Sequence, residues 1–182
     1  MRVISGKYRG KKLFAPECND VRPTTDRIKE TVFNILCARS DFDGAKVLDL
    51  FSGSGSLGIE AISRGATDVV FVDKSRDSIA LTRKNLAHIG VSAEVYNTDF
   101  KVALKKLSGR QFDFIFLDPP YFGKNEQEIF DLIEKYDLLT EKGIIFLEHS
   151  TKIDLPDTGK RYIIDDRSCG NTSITFLQRS EL

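Results

Sequence analysis

Cysteine is scarce in this 182-residue chain, and the three present, Cys18, Cys37 and Cys169, are odd in number, far apart and never in a C-x-x-C pair. That spacing excludes both a disulfide framework and a zinc site, so all three are read as free thiols and no metal is expected. Long apolar runs are missing too. The longest, around FIFLDPPY and IIFL, fall far short of the roughly 20 residues that a membrane span needs. The opening MRVISGKYRGKK has no apolar signal core, so a cytoplasmic protein without a membrane partner is expected. Repeats and low-complexity segments are absent. Disorder is excluded by a composition of 41% hydrophobic and 30% charged residues, which can build a core. The length suits one domain with a small appendage and leaves no room for separate catalytic and binding modules.

Net charge is also lacking, since 27 basic residues balance 27 acids, but the signs are unevenly spread. Residues 1 to 39 hold nine basic side chains (Arg2, Lys7, Arg9, Lys11, Lys12, Arg22, Arg27, Lys29, Arg39) against four acids, and the remainder is correspondingly acidic. A basic end on an acidic body suits a molecule that meets a polyanion with one face and a neutral or cationic ligand with another. A merely solvated basic hairpin is the plainer alternative.

RVISGKYRGKKLFA has short β-type runs around Gly6 and Gly10 and reads as a hairpin with its charges outward. Pro16 to Pro23 reads as a connector. In TTDRIKETVFNIL the apolar Ile28, Val32, Ile35 and Leu36 recur at helical spacing, with Thr24 or Thr25 as N-cap and Asp26 in the first turn. From Lys46 onward strands alternate with helices: KVLDLF, DVVFVD, AEVYNTD, FDFIFLD and GIIFLEH are the strands. This alternation implies an α/β fold, a doubly wound and mostly parallel sheet covered on both faces. RYIIDDRS and TSITFLQR, joined at CGNT, leave no room for a helix and read as a hairpin that adds an antiparallel edge strand, for seven strands in all.

The first of these strands ends in Asp49-Leu-Phe-Ser-Gly53-Ser-Gly55-Ser-Leu-Gly58, which matches G-x-G-x-x-G, and Asp73 follows Gly53 by twenty positions. Nicotinamide dinucleotide enzymes share that fingerprint. Asp49 argues against a dinucleotide, because it places an anion where a pyrophosphate would meet the helix N-terminus. Asp99, after the next strand, brings to three the acids at successive strand ends. They suit a ligand with an ammonium, a sulfonium, a ribose diol and an adenine amino group but no phosphate, which describes S-adenosyl-L-methionine. Asp73 is assigned to the ribose hydroxyls, Asp99 to the adenine edge with Phe100 packing on the ring, and Asp49 to the methionine end. Phe51, Gly53 and Gly55 complete the loop. The plainer reading is that the three acids cap the helices that follow them.

The fourth strand runs into Asp118-Pro119-Pro120-Tyr121. An exocyclic amino group on a base is a poor nucleophile, because its lone pair is delocalised into the ring. Two acceptors that hold its hydrogens free that pair, and the Asp118 carboxylate and the Pro119 carbonyl supply them, on a loop stiffened by consecutive prolines. Tyr121 offers a stacking face for an extruded base. The amino nitrogen then attacks the methyl in line, with no metal or covalent nucleophile. His88, His149 and Glu148 are weaker candidates, read as surface or structural residues.

With these residues the chain resembles the class I S-adenosylmethionine-dependent methyltransferases, and specifically the RsmD family of bacterial 16S rRNA guanine-N2 methyltransferases. The likeness spans RVISGKYRGKKL, RPTTDRIKETVFNIL, VLDLFSGSGSLGIEA, DPPY and CGNTSITF, of which RPTTDRIKE is the distinctive element. The resemblance implies a basic extension over residues 1–21 and a methyltransferase domain over 22–182. Arg22 and Thr24 then belong to the segment that folds over the cofactor, and S-adenosyl-L-homocysteine is the product. The substrate it implies is guanine 966 of 16S rRNA, in the small subunit or an assembly intermediate. Arg2, Lys7, Arg9, Lys11 and Lys12 become rRNA contacts through phosphate neutralisation. A monomer is expected. One departure is the tail turn, often Tyr-Gly in this family and here Cys169-Gly170. A DNA adenine-N6 or cytosine-N4 methyltransferase, a nicotinamide-dependent oxidoreductase and a non-enzymatic rRNA-binding assembly factor are the rival readings.

Overall fold

The computed structural model describes residues 1–16, 26–119, 126–152, 155, 162–170 and 172–179. Its elements in chain order are α1 (Asp26–Arg39), β1 (Lys46–Asp49), α2 (Ser56–Ser63), β2 (Asp68–Asp73), α3 (Arg76–Ile89), β3 (Glu94–Asn97), α4 (Phe100–Lys106), β4 (Phe112–Leu117), α5 (Glu126–Lys135), β5 (Leu139–Ser150), β6 (Tyr162–Cys169) and β7 (Thr172–Arg179). Residues 17–25, which include all of the Pro16–Pro23 connector but Pro16 and also hold Thr24 and Thr25, lie outside the described residues, as do Pro120 and Tyr121. Among the described residues no helix is long and apolar enough to cross a membrane.

The strands form one seven-stranded sheet in the order β3-β2-β1-β4-β5-β7-β6. β1 to β5 pair in parallel, and β7 runs antiparallel to both β5 and β6. This is the doubly wound α/β class that the strand-helix alternation predicts. The tail hairpin differs in one respect, because its antiparallel strand is inserted beside β5 and leaves β6 as the edge. β7 is the more apolar of the two, with Ile174, Phe176 and Leu177 fully buried, whereas Ile163 and Ile164 of β6 are exposed. The chain therefore places the strand that can be buried on both faces inside the sheet.

Side-chain alternation along each strand divides the core in two. Val47, Phe71, Phe114, Phe116, Phe146 and Phe176 face the side covered by α1 and α2. Leu48, Val70, Val72, Ile115, Leu117 and Ile145 face α4 and α5. Phenylalanines dominate the first side: Phe42 stacks on Phe114 with ring centroids 4.2 Å apart, and Phe116 meets Phe146 edge-on at 6.2 Å. Each such buried ring contributes roughly 1.5–3 kcal/mol.

The N-terminal hairpin is a tight loop closed by a single antiparallel bridge, Arg2 to Lys12, rather than a ladder. It is fastened to the main fold. Val3 and Leu13 enter the first core, the Lys7 amide donates to the Ser63 carbonyl at 2.7 Å, and the Tyr8 amide donates to Ser63 Oγ at 2.9 Å. Gly6 has φ +80°, and a Cβ there would stand 1.8 Å from the Ser63 carbonyl oxygen, so only glycine permits this approach. Glu60 of α2 accepts from the amides of Ile4 and Ser5 at 2.8 and 3.0 Å.

Glu60 also pairs with Lys29 of α1 at 3.5 Å, and neither side chain has any exposed surface. Lys29 donates in addition to the Arg2 carbonyl at 2.6 Å and to Ser56 Oγ at 3.1 Å. Of the nine basic residues at this end, Lys29 therefore adds nothing to the surface charge. Burial lowers its pKa, and Glu60 opposes that shift. Breaking a buried pair from one side costs about 3–5 kcal/mol. Glu60→Ala should reach that range in denaturant unfolding and exceed Lys29→Ala, because Glu60 retains Arg64 at 3.0 Å whereas Lys29 would keep only neutral partners.

Candidate active site

The strand order reverses between β1 and β4, and in an open α/β sheet the crevice at the carboxyl ends of those two strands is where ligands bind. Asp49 ends β1, and Asp118 and Pro119 follow β4 directly. Register fixes their neighbours. Asp49 pairs with Phe116, and Leu117 pairs with Leu147, so Asp118 stands between the end of β1 and Glu148 of β5. Asp73 ends β2 beside Asn97, and Asp99 opens α4 just beyond β3. The sheet thus gathers every described acid that the sequence singles out along one edge.

The loop from Leu50 to Gly55 crosses this edge. The Leu50 amide donates to the Phe116 carbonyl at 3.1 Å and the Ser52 amide to the Val72 carbonyl at 3.0 Å, so the loop passes between β4 and β2. Gly53 and Gly55 both have positive φ, 53° and 77°, which glycine adopts without strain. A Cβ on Gly53 would meet nothing within 4 Å, which leaves its outer face free for a ligand. Gly58 has a different task. A Cβ there would lie 2.3 Å from the Phe71 ring and 3.1 Å from Asp49 Oδ2, so its absence lets α2 settle onto the sheet.

Asp49 Oδ2 accepts from the Gly58 amide at 3.0 Å, and Asp73 Oδ2 accepts from the Gly53 amide at 3.0 Å. Two amides that would otherwise face a pyrophosphate at this helix end are therefore taken by carboxylates of the protein itself. With those donors already engaged an anion has little to bind there, which tells against the dinucleotide reading on geometry as well as on pattern. Asp73 Oδ1 accepts from the Ser75 amide at 2.8 Å, and Asp99 caps α4 by accepting from the Lys101 amide at 2.9 Å. All three acids support backbone, but only Asp99 is the N-cap of the helix that follows it, for Ser75 takes that place on α3 and Gly55 on α2. A carboxylate offers about four acceptor positions, so Asp73 and Asp99 retain capacity for a ligand's hydroxyl and amino groups. Phe100 is buried against half-exposed Phe51, ring centroids 5.9 Å apart, and the pair forms an apolar wall beside Asp99.

The electrostatics at the reversal are unusual. Burial pushes the Asp49 carboxyl up to about 7, against the pull of the Gly58 amide, and Asp73 adds to the rise. Asp118 keeps some exposed surface, yet its carboxyl is closely surrounded by protein. That burial, and after it the Glu148 and Asp49 charges, hold it well above the ordinary carboxylate range. Clustered carboxylates of this kind favour a cationic ligand, which restores their ionised forms. The residues present therefore fit a ligand with a positive charge near Asp49 and Asp118, a diol at Asp73 and an aromatic amine at Asp99.

Of the other sequence-predicted residues, Lys7, Arg9, Lys11 and Lys12 are exposed on the hairpin, and Arg2 pairs with Asp26 at 3.2 Å while staying largely exposed. Arg22, Thr24 and Tyr121 lie outside the described residues. His149 is structural. Its Nε2 lies 2.8 Å from Thr175 Oγ1, which donates to Asp166 at 2.6 Å. Cys37 is a free, exposed thiol. Glu148, ranked low from sequence, proves to be the first charge acting on Asp118. Its one sequence signal is an acid at the end of an apolar strand, IIFLE.

The family described as Conserved hypothetical protein 95 matches residues 1–178. YlbH of Bacillus subtilis (strain 168) is 43% identical over 184 residues, covering 98% of this chain and 99% of that one. The Ribosomal RNA small subunit methyltransferase D of Haemophilus influenzae is 36% identical over 182 residues, covering 98% and 93%. Among solved structures, yhhF of Escherichia coli superposes with a TM-score of 0.87 at 31% identity, covering 98% of this chain and 97% of that one.

The raised Asp49 carboxyl has a consequence for stability. Between its usual pKa of 3.8 and about 7, folded Asp49 holds a proton that the unfolded chain has released, so its contribution to stability falls as pH rises through that window. Asp49→Asn keeps an oxygen for the Gly58 amide and removes the charge. The variant should match the parent near pH 4 and exceed it above pH 7 by on the order of a few kcal/mol, as read from paired denaturant titrations.

Proposed function

The chain belongs to the family described as Conserved hypothetical protein 95, the RsmD family of small-subunit rRNA methyltransferases, and from that membership we propose its reaction in detail. It is an S-adenosyl-L-methionine-dependent rRNA methyltransferase that modifies the exocyclic N2 amino group of a guanine in 16S rRNA, guanine 966 in the family's numbering. It acts in the cytoplasm, as a monomer, on the small subunit or an assembly intermediate, and releases S-adenosyl-L-homocysteine. The observation that carries this reading is the position of Asp118 and Pro119 at the strand reversal, beside a glycine loop whose amides are closed to phosphate by Asp49 and Asp73.

The cofactor supplies a methyl group made electrophilic by a positively charged sulfur. The residues that hold it follow from the donor set. Asp73 takes the ribose hydroxyls, Asp99 the adenine amino edge against Phe100 and Phe51, Gly53 and Gly55 let the backbone approach, and Asp49 faces the ammonium. Arg22 and Thr24 are proposed to close over it.

The chemistry of the chain itself centres on Asp118. An N2 amino group donates one hydrogen to the Asp118 carboxylate and the other to the Pro119 carbonyl, which holds the nitrogen with its lone pair directed out of the ring plane. The ionised carboxylate is the stronger acceptor, and it alone has room for a further proton. A cation brought beside Asp118 lowers its pKa and so readies it for the substrate. Asp118 is also the acceptor for the proton that the nitrogen sheds on acquiring its new bond. Tyr121 is proposed to stack on the extruded guanine, offsetting part of the few kcal/mol of unstacking. The exposed Lys7, Arg9, Lys11 and Lys12 neutralise phosphates and orient the rRNA.

Labelled methyl should pass to small subunits lacking the modification and map to N2 of one guanine. Label on duplex DNA alone would instead move the protein to the DNA-modifying class. Asp118→Ala should lower turnover on the order of 10²–10³-fold while calorimetry still shows S-adenosyl-L-methionine bound, more weakly for want of one carboxylate facing its cation, and retained turnover would remove Asp118 from the mechanism. Replacing Lys7, Arg9, Lys11 and Lys12 together should weaken rRNA binding and flatten its log-log salt slope by roughly 3. An unchanged slope would show that the hairpin does not touch phosphate.

A further inference from the structure

The basic N-terminal segment runs into an aromatic residue that the fold holds firmly without burying. Leu13 is packed in the core, but Phe14 beside it is 40% exposed. Both polar groups of the Phe14 backbone are bound by one side chain of α3. The Phe14 amide donates to Asn85 Oδ1 at 2.8 Å, and its carbonyl accepts from Asn85 Nδ2 at 3.1 Å. Asn85 is fully buried, and its Nδ2 also donates to the Ser54 carbonyl in the glycine loop at 2.9 Å. The backbone clamp and Leu13 therefore anchor this segment, and the Phe14 ring is not needed for that purpose.

The surroundings of the ring are cationic and polar. Lys84 Nζ lies 4.0 Å from the ring centroid, and the His88 ring meets Phe14 edge-on at 5.2 Å. Lys84 and His88 are exposed and stand one helical turn apart on α3, at i and i+4. Lys11 and Lys12, also exposed, immediately precede Leu13 and Phe14. A rigid, partly exposed aromatic with one ammonium at its ring and two further lysines just before it in the chain is an arrangement suited to single-stranded nucleic acid: the ring stacks on a base of any identity, and the cations meet the flanking phosphates. The positive charge selects a polyanion over a second copy of this neutral chain.

We propose that Phe14, Lys84 and His88 form a stacking site for an unpaired nucleotide of the rRNA, separate from the pocket that takes the target guanine. The proposal rests on the rRNA reading above. Through Asn85 the site shares one rigid support with Ser54, so a nucleotide stacked on Phe14 is held in fixed relation to the cofactor loop. The contact is independent of base identity. It contributes to placement of the strand rather than to choice of the guanine.

The chain contains no tryptophan, so Phe14→Trp introduces a single indole, which can be excited at wavelengths its five tyrosines do not absorb. Titrating this variant with protein-free, unmodified 16S rRNA should quench its emission in parallel with binding. Phe14→Ala should raise the KM for the subunit on the order of tenfold, with kcat and S-adenosyl-L-methionine affinity at parental levels. Unquenched emission from a Phe14→Trp protein that still methylates would overturn the stacking site and leave the rRNA methyltransferase reading intact, as would an unchanged KM for Phe14→Ala. Quenching without methyl transfer by the parent would support the stacking site while removing the methyltransferase reading.

Discussion

A lysine and a glutamate with no exposed surface join three parts of this molecule. Lys29 brings α1, Glu60 brings α2, and between them they bind the amides of Ile4 and Ser5 and the carbonyl of Arg2. A buried pair of this kind is tolerable only when its remaining hydrogen-bonding capacity is met, and here backbone groups of the hairpin meet it. The pair thus makes the position of the basic hairpin a condition of folding. It also sets the hairpin against the helix that begins at the glycine loop, so the surface proposed for rRNA and the loop proposed for the cofactor belong to one body.

At the carboxyl ends of the strands the protein accepts an electrostatic cost. Asp49, Asp118 and Glu148 converge where the strand order reverses, and the first two have pKa values well above those of ordinary carboxylates. Nothing in the packing of the sheet requires acids there. Apolar residues fill the equivalent strand interiors on both faces, and the carboxylates appear only where the strands end. Carboxylates held this close favour a cation beside them, which lets them ionise.

The parts of this architecture legible in the sequence are those governed by periodicity. Alternating strands and helices, glycines in a left-handed turn and acids closing each strand are local signals, and the sheet assembles them as the pattern implies. What escaped were pairings between distant positions. Lys29 reads as one more surface cation, because nothing in its neighbourhood shows that Glu60 waits for it across 31 positions. Glu60 does carry a faint signal, a lone acid within the apolar LGIEAI of α2. Asn85 lies within the polar stretch TRKN and gives no sign of its grip on Phe14, 71 positions away. The place of β7 inside the sheet depended on which of two β-type runs could be buried on both faces, and that is settled by relative apolarity rather than by order in the chain.

That last choice bears on the timing of synthesis. β7 follows β6 in the chain but lies between it and β5, so β6 leaves the ribosome with no strand to join. β5, whose Ile144, Ile145 and Phe146 are all fully buried in the finished sheet, must keep one edge open until β7 has emerged. The nascent chain therefore carries an unsealed apolar edge from the emergence of β5 until β7 joins it, the interval in which a chaperone is of most use to it.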